Sequence, residues 1–319
     1  MKTLQKYFDS QKTAPDLQQL IFSLLWAGAD FYEFVLFRHD FENSYSGELN
    51  KTGDKQLKVD VTANNYFVDA LRKNGNVSLI ASEELAEPIE GESDGKYVVA
   101  FDPLDGSSIV DANFSVGAII GIYEGNSLIG RTGSEQVASF VFTYGSQFTF
   151  FLTTGQGTIA GIYRPGDFPD KIVEDQKMRD QFFILTEKVT LTEDGKYFAP
   201  GNLRAAANEK WYMKALQEWI KENYTLRYSG GMVPDIGHIL TKGGGIFLYP
   251  GTSQKPDGKL RLLYECAPFA FIVEQAGGVA LNQKGERILD IPVEFPHQTT
   301  PIFIGSKNEV EKILSKAKL

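Results

Sequence analysis

Apolar positions recur at helical spacing in the first part of the chain and then give way to short, strand-like runs. From residue 16 to 37, DLQQLIFSLLWAGADFYEFVLF places Leu17, Leu20, Leu24 and Leu25 at helical intervals that later aromatics continue. That spacing predicts a long helix starting near Pro15 or Asp16. Residues 38–53 are polar and contain Gly, Asn and Ser, the composition of a mobile loop. Asp60 precedes a second helix, marked by Phe67, Val68 and Leu71. Then come VSLIAS, ending at Glu83-Glu84, and the apolar run Tyr97–Phe101, bounded by Gly95 and Lys96, which reads as a buried strand. FSVGAIIGIYEG and QFTFFLTTGQGTIAGIYRPGD follow as antiparallel strands with short turns.

A soft boundary lies near residue 190, where the turn 193–196 opens a second lobe. This divides the chain into 1–190 and 191–319, compactly joined. The second lobe runs strand (KYFAP), turn (GNLRA) and an amphipathic helix carrying Trp211, Leu216, Trp219 and Ile220 on or near one face. GKLRLLYECAPFAFIVEQAGG reads as a strand ending at Glu265, a helix opened by Pro268, and a stop at Gly277-Gly278. PIFIGS and NEVEKIL close the chain as strand and helix. No repeat or low-complexity tract interrupts it. Periodicity alone supports a mixed α/β fold, largely antiparallel after residue 110.

Composition narrows the function classes. The chain has 319 residues, 42% of them hydrophobic, enough for a large core in two lobes. A net charge of −9 with no Lys/Arg-rich run argues against a nucleic-acid partner. No apolar run approaches the ~20 residues that span a bilayer. The single cysteine, Cys266, allows no intrachain disulfide and suits a reducing compartment. MKTLQKYFDSQKTAPD has neither the apolar core of a secretory signal nor a transit-peptide composition. The expectation is a cytoplasmic protein, or a plastid form with its transit peptide removed.

The chemistry concentrates where the Tyr97 strand ends. In FDPLDGSS, Asp102 ends the strand, Pro103 donates no ladder hydrogen bond and turns the chain out of the sheet, and Asp105 follows. Gly106-Ser107-Ser108 behind it let a backbone approach an anion with N–H groups pointing at it. Carboxylates suit a hard cation such as Mg²⁺ and the Gly-Ser-Ser turn suits phosphate oxygens, the pairing that metal-assisted phosphoester chemistry needs. An ordinary Asp-Gly turn would use the same residue types.

Other acids stand where apolar elements meet loops: Asp54, Asp60, Glu83, Glu84 and Glu265. Each read alone is accounted for as a helix cap or surface charge. Gathered in one cleft, each like-charged pair at ~4 Å would cost roughly 4 kcal/mol at an effective dielectric near 20. A gathered cluster therefore requires bound divalent ions or raised pKa values. With three His and one Cys in the chain, the oxygen donors favour Mg²⁺ over Zn²⁺, with Mn²⁺ as a substitute.

FDPLDGSS, TGDKQLKVD, ASEE and GKLRLLYECAP resemble blocks of the sugar bisphosphatases, the family of fructose-1,6- and sedoheptulose-1,7-bisphosphatase. The resemblance runs from about Thr52 to the C-terminus. It implies a layered α/β/α/β/α sandwich and a metal-dependent phosphoric monoester hydrolase. It implies metal ligands at Glu83, Glu84, Asp102, Asp105, Glu265 and the Leu104 carbonyl. Asp60 and Glu84 would polarise the attacking water, and Asp54 belongs to a loop that closes over the site. The scissile phosphate would meet Gly106, Ser107, Ser108, Lys259 and Arg261. The distal phosphate would meet Asn202, Tyr228, Tyr249 and, from a neighbouring subunit, Arg227, which implies a homodimer or homotetramer. Taken singly, Tyr228 and Tyr249 read as core or interface aromatics and Arg227 as a surface ion-pair residue.

Within the family, YFAPGNLRA and YTLRYSGGMVPDI resemble the sedoheptulose type, with Arg204 in place of a glycine and Ala205 where some fructose enzymes carry a tyrosine. GIFLYP and LLYECAP suit a fructose enzyme equally. The reading is hydrolysis of the 1-phosphate of sedoheptulose 1,7-bisphosphate, with fructose 1,6-bisphosphate as a competing or second substrate. Inositol phosphate and nucleotide phosphatases carry a shorter motif. A silent sugar-phosphate sensor on the same fold would be expected to have lost one of the seven carboxylates, and all seven are present. The lone cysteine implies no thiol activation. KTAPDLQQL lacks the stretch on which AMP-inhibited fructose enzymes hold nucleotide, and although Lys96-Tyr97 matches that site as strand-edge residues also would, the resemblance implies weak or absent AMP inhibition.

Overall fold

A computed structural model describes residues 1–37, 45–49, 55–165 and 181–317, and it turns the strand alternation into two cores on either side of one sheet. The first half holds helices α1 (Leu4–Gln11), α2 (Pro15–Phe37) and α3 (Lys58–Arg72), and a small antiparallel pair, β1 (Tyr45–Leu49) with β2 (Lys55–Leu57). Its main strands are β3 (Val77–Ser82), β4 (Ile89–Glu90), β5 (Tyr97–Asp105), β6 (Val116–Glu124), β7 (Gln136–Tyr144), β8 (Phe148–Thr153), β9 (Thr158–Tyr163) and β10 (Phe182–Val189). They form an eight-stranded sheet in the order β10-β9-β8-β7-β6-β5-β3-β4, antiparallel except for the β3–β5 pair.

On β5, Tyr97, Val99 and Phe101 enter a core shared with α1, α2 and α3. Val98 and Ala100 enter a different core on the opposite face. This period of two is why both faces must be covered. The second core also holds Val233 and Ile236 of α5 (Met232–Lys242) and Phe269 and Ile272 of α6 (Ala267–Gln275).

The far side of that core is a five-stranded sheet, β12 (Thr225–Leu226), β11 (Tyr197–Pro200), β13 (Ile246–Tyr249), β15 (Ile302–Gly305) and β14 (Val279–Leu281), in that order. Its Phe247, Ile302 and Ile304 face inward. Phe198, Ile246 and Phe303 face a third core, closed by Tyr212 and Trp219 of α4 (Lys210–Lys221) and Val310 and Ile313 of α7 (Lys307–Ala317). The succession helix, sheet, helix, sheet, helix is the layered sandwich implied above.

Several elements differ from the sequence reading. α1 goes unforeseen; Thr3 caps it by accepting the Lys6 N–H. Within the stretch read as a loop, residues 45–49 form β1. Ile220 is 70% exposed, off the buried face of α4. β11 pairs in parallel with both neighbours, so the second sheet is not purely antiparallel. β5 does not stop at Asp102 but runs through Pro103 to Asp105. The segment read as a strand up to Glu265 is a π-helical turn, Leu262–Cys266, that flows into α6. All five of its residues are buried, and an apolar run buried on every side carries no period to separate strand from helix.

Candidate active site

Pro103 stays in the sheet because a bulge absorbs it. Asp102 pairs with Ile119 and Asp105 with Gly117, so two residues on β5 oppose one on β6. The extra residue removes the need for a Pro103 N–H and brings Asp102 and Asp105 onto the same face, since their partners are two apart. On that face α5 approaches closely. Its first N–H groups, Met232 and Val233, donate to Asp105 Oδ1 and Oδ2 at 3.1 and 2.7 Å. A Cβ at 117 would lie 2.5 Å from Val233 Cγ1 and 1.9 Å from the Phe142 carbonyl oxygen, so only glycine admits this approach.

β3 runs parallel to β5 with Ser82 opposite Phe101, so the chain emerging from β3 delivers Glu83 beside Asp102. The Glu83 N–H donates to the Phe101 carbonyl at 3.0 Å and extends the ladder by one bond. Glu265 comes from the π-helical turn, whose carboxylate reaches back to accept the Arg261 N–H at 2.5 Å. Insertions of this kind re-aim a side chain that a regular helix would point elsewhere. Oxygens of Glu83, Asp102 and Glu265 lie within 4.8 Å of one another. Asp102 and Glu265 are buried and Glu83 is half-buried.

Burial and mutual repulsion dominate the electrostatics. Burial, then the charges of Glu83, Asp105 and Glu265, push the Asp102 carboxyl well up. Burial and then Glu83 do the same to Glu265. Glu83 is pushed up to about 7, chiefly by burial and against the opposing pull of Arg261. Burial lifts Asp105 to about 6, less than the others because two backbone N–H groups hold its charge. Arg261 is buried, with Nη2 3.6 Å from Glu83 and Nη1 donating to the Lys259 carbonyl at 2.7 Å. Four acids thus share this site, and Arg261 pairs with one of them, Glu83. The donor set is all oxygen and short of positive charge, which fits a hard divalent cation.

The remaining predicted residues fall into groups. Leu104 lies between the two aspartates, and its N–H donates to Asp102 Oδ1 at 2.9 Å. Gly106, at φ 86°, opens the tight turn Ser107–Ile109 directly after Asp105. Asp60 is buried in the first turn of α3, outside the three-carboxylate group. Glu84 is half-buried beside Glu83, its charge adding to the rise in the Glu83 pKa. Lys259 is exposed. Asp54 lies outside the described residues.

Beyond the acidic group, Tyr228 is 44% exposed, and its hydroxyl feels the charges of Asp235 and Arg204. Tyr212 donates to the Gly201 carbonyl at 2.7 Å and feels both Tyr228 and Tyr249, so these aromatics share one neighbourhood with Arg204. Asn202 adopts a left-handed backbone and donates to the Pro250 carbonyl at 3.4 Å. Arg227 is exposed, stacked over Tyr197 with its Nη1 on the Leu226 carbonyl. Two residues escaped the sequence reading. Asp235 is a buried acid in the first turn of α5, a position where an acid reads as complementing the helix dipole. His297 Nε2 lies 3.0 Å from the Leu85 carbonyl and ties the turn after Glu83-Glu84 to a distant loop; nothing in its local sequence signals this.

Known proteins share both the fold and these blocks. Residues 9–169 match the family model described as the N-terminal domain of fructose-1-6-bisphosphatase, and residues 191–318 match its C-terminal domain. Fructose-1,6-bisphosphatase class 1 of Campylobacter concisus is 38% identical over 269 residues, covering 83% of this chain and 87% of that one. Chloroplastic sedoheptulose-1,7-bisphosphatase of Spinacia oleracea is 41% identical over 264 residues, covering 82% of this chain and 65% of its own length. The structure of Leishmania major fructose-1,6-bisphosphatase in holo form superposes with a TM-score of 0.88 at 32% identity, over 100% of this chain and 99% of that one. Fold and acidic centre define a phosphatase. The chain belongs to the fructose-1,6-bisphosphatase family, whose members hydrolyse sugar bisphosphates. No helix among the described residues is long and apolar enough to cross a membrane.

Proposed function

We propose that the protein hydrolyses the 1-phosphate of sedoheptulose 1,7-bisphosphate, giving sedoheptulose 7-phosphate and phosphate, with fructose 1,6-bisphosphate as a second substrate. The observation that carries the reading is the convergence of Glu83, Asp102 and Glu265 within 4.8 Å, next in the chain to a turn suited to phosphate. In this reading Mg²⁺, or Mn²⁺ in its place, is held by Glu83, Glu84, Asp102, Asp105, Glu265 and the Leu104 carbonyl. Such an ion, when bound, supplies the positive charge that lowers the pKa of water and neutralises phosphoryl oxygens.

The chain's own residues do the rest. Asp60 and Glu84 accept the proton of the attacking water. Arg261, Lys259 and the N–H groups of Gly106, Ser107 and Ser108 neutralise charge that develops on the phosphoryl oxygens during in-line displacement. Asn202, Arg204, Tyr228 and Tyr249 receive the distal phosphate, and the exposed Arg227 serves the site of a neighbouring copy in a homodimer or homotetramer. The loop bearing Asp54 closes over the site. The lobe 1–190 thus supplies most of the metal ligands, and 191–319 the sugar-phosphate end, in a cytoplasmic enzyme.

The seven-carbon preference is supported by Arg204, whose charge reaches Tyr228, and by the small, buried Ala205 beside it. The spinach relative named for sedoheptulose bisphosphate agrees with it. The Campylobacter and Leishmania relatives are named for fructose bisphosphate, which is why that sugar is retained. Phosphate release from sedoheptulose 1,7-bisphosphate, fructose 1,6-bisphosphate and an inositol monophosphate, with and without Mg²⁺, tests the reading. We expect Mg²⁺-dependent release from both ketose bisphosphates, with the heptulose ahead in kcat/KM. No Mg²⁺-dependent release from either ketose, or a preference for the inositol phosphate, would refute it.

A further inference from the structure

The turn that joins Tyr228 to α5 is held at both ends by carboxylates. At its far end Asp105 accepts the Met232 and Val233 N–H groups. At its near end the Ser229 N–H donates to Asp235 Oδ1 at 2.7 Å, so a side chain in the first turn of the helix reaches back to hold the backbone that precedes it. Inside the turn, Ser229 Oγ accepts the Gly231 N–H at 3.2 Å. The turn leans on the phosphate-turn candidate. A Cβ on Gly230 would lie 3.5 Å from Ile109 Cγ2, and one on Gly106 would lie 3.5 Å from Gly231 Cα.

Asp235 is 3% exposed, and its Oδ2 is buried without a hydrogen-bond partner. Burying a carboxylate costs free energy, and here that cost is offset by the backbone the side chain holds at Ser229. Its charge reaches the Tyr228 hydroxyl. Burial lifts the Asp235 carboxyl to about 6 against the opposing hold of Ser229 and Gly230, and Asp105 adds a minor push from the other side. Asp235 therefore sits between the two ends of the site while remaining outside the carboxylate cluster.

We propose that Asp235 is a positioning residue that fixes the offset between the Gly106–Ile109 turn and Tyr228, and so the spacing at which the two phosphates of one substrate are held. The assignment rests on the bisphosphatase reading above. Removing the acceptor frees the Ser229 N–H and lets Tyr228 move relative to the turn it must match. The bond-breaking end keeps Glu83, Asp102 and Glu265 intact, so the loss falls on binding and not on turnover.

The test uses Asp235→Ala and Asp235→Asn in the full chain, the second keeping an oxygen that can accept the Ser229 N–H. For Asp235→Ala, KM for the preferred bisphosphate rises about tenfold, the size of one charge-assisted hydrogen bond, while kcat stays within about threefold. Calorimetric titration with fructose 6-phosphate, which carries the distal phosphate alone, shows the same roughly tenfold weakening, and Asp235→Asn recovers most of it. If the alanine variant does not fold, Asp235→Glu, which lengthens the arm by one methylene, carries the same readouts. Unchanged binding of fructose 6-phosphate by the variant, a fall in kcat equal to the rise in KM, or an asparagine variant as impaired as alanine would each overturn the assignment. A wild-type protein that neither cleaves ketose bisphosphates nor binds fructose 6-phosphate would instead bring down the bisphosphatase reading beneath it.

Discussion

Around Asp102 the chain gathers three buried carboxylates and the half-buried Glu83, whereas around Tyr228 it leaves phenol and guanidinium groups open to solvent. The acidic end is over-determined. A sheet bulge aims Asp102 and Asp105, the strand ladder aims Glu83, and a π-helical turn aims Glu265. Its repulsion is relieved by the raised pKa values of the buried acids or by a bound cation. The Tyr228 end has Arg227 and Arg204 exposed and Tyr228 44% exposed, with Asp235 holding the backbone at Ser229. In the proposed reading, reaction class belongs to the buried acidic centre and choice of sugar to the open end, where substitution of exposed side chains costs little stability.

The contrast breaks most sharply at Asp102. Asp102→Asn keeps size and shape but removes a charge, and turnover should fall by on the order of 10³-fold with substrate affinity largely kept. Steady-state phosphate release beside direct substrate titration checks this; near-wild-type turnover would void the ligand assignment. Metal removal gives the next effect. Glu83 and Asp105 have folded pKa values of about 7 and about 6, above those of the unfolded chain. The folded state then binds more protons in that window, so the stability these groups contribute is full below the unfolded values of 3.8 and 4.5 and is lost as pH rises through about 6 and about 7. Melting of chelated protein should drop by a few degrees between pH 5 and 7.5, and Mg²⁺ should reverse most of the drop. A melting temperature that climbs with pH in the chelated protein would contradict the burial argument.

At the open end the effects are smaller. Arg204→Ala should leave stability unchanged and shift the kcat/KM ratio of heptulose to hexulose bisphosphate toward the hexulose by about fivefold. An unmoved ratio would remove Arg204 from the specificity argument. Smallest is the response to AMP and thiols. Lys96 is already engaged by Asp16 at 3.1 Å and Glu124 at 3.5 Å, and Cys266 is buried. Micromolar AMP and dithiothreitol should each leave the rate within experimental error.

How much of this was legible in the sequence follows the same division. The α2 face, the apolar run of β5, the strand pattern of β6, β8 and β9 and the FDPLDGSS turn could be read because a period or a turn residue carries each one, whereas β7 (Gln136–Tyr144) was not read. The bulge that makes the Asp102–Asp105 spacing work could not be read, since Pro103 signals an exit as readily as a bulge. The π-helical turn was equally hidden, because Leu262–Cys266 is apolar on every side except where Glu265 reaches back. Helix α5 was missed because Gly230, Gly231 and Pro234 punctuate its start, and with it went Asp235, whose partner Ser229 precedes the helix. Long-range capping, such as Asp105 on α5, leaves no local mark at all.

The chemistry turns on one arrangement, the acidic centre as a cation site. Crystals grown with Mn²⁺ and measured at its absorption edge address it directly. The anomalous map should show density between the carboxylates of Glu83, Asp102 and Glu265, and none there in Asp102→Asn. Full-occupancy manganese elsewhere with that centre empty, or density between the same groups undiminished in the variant, would contradict it.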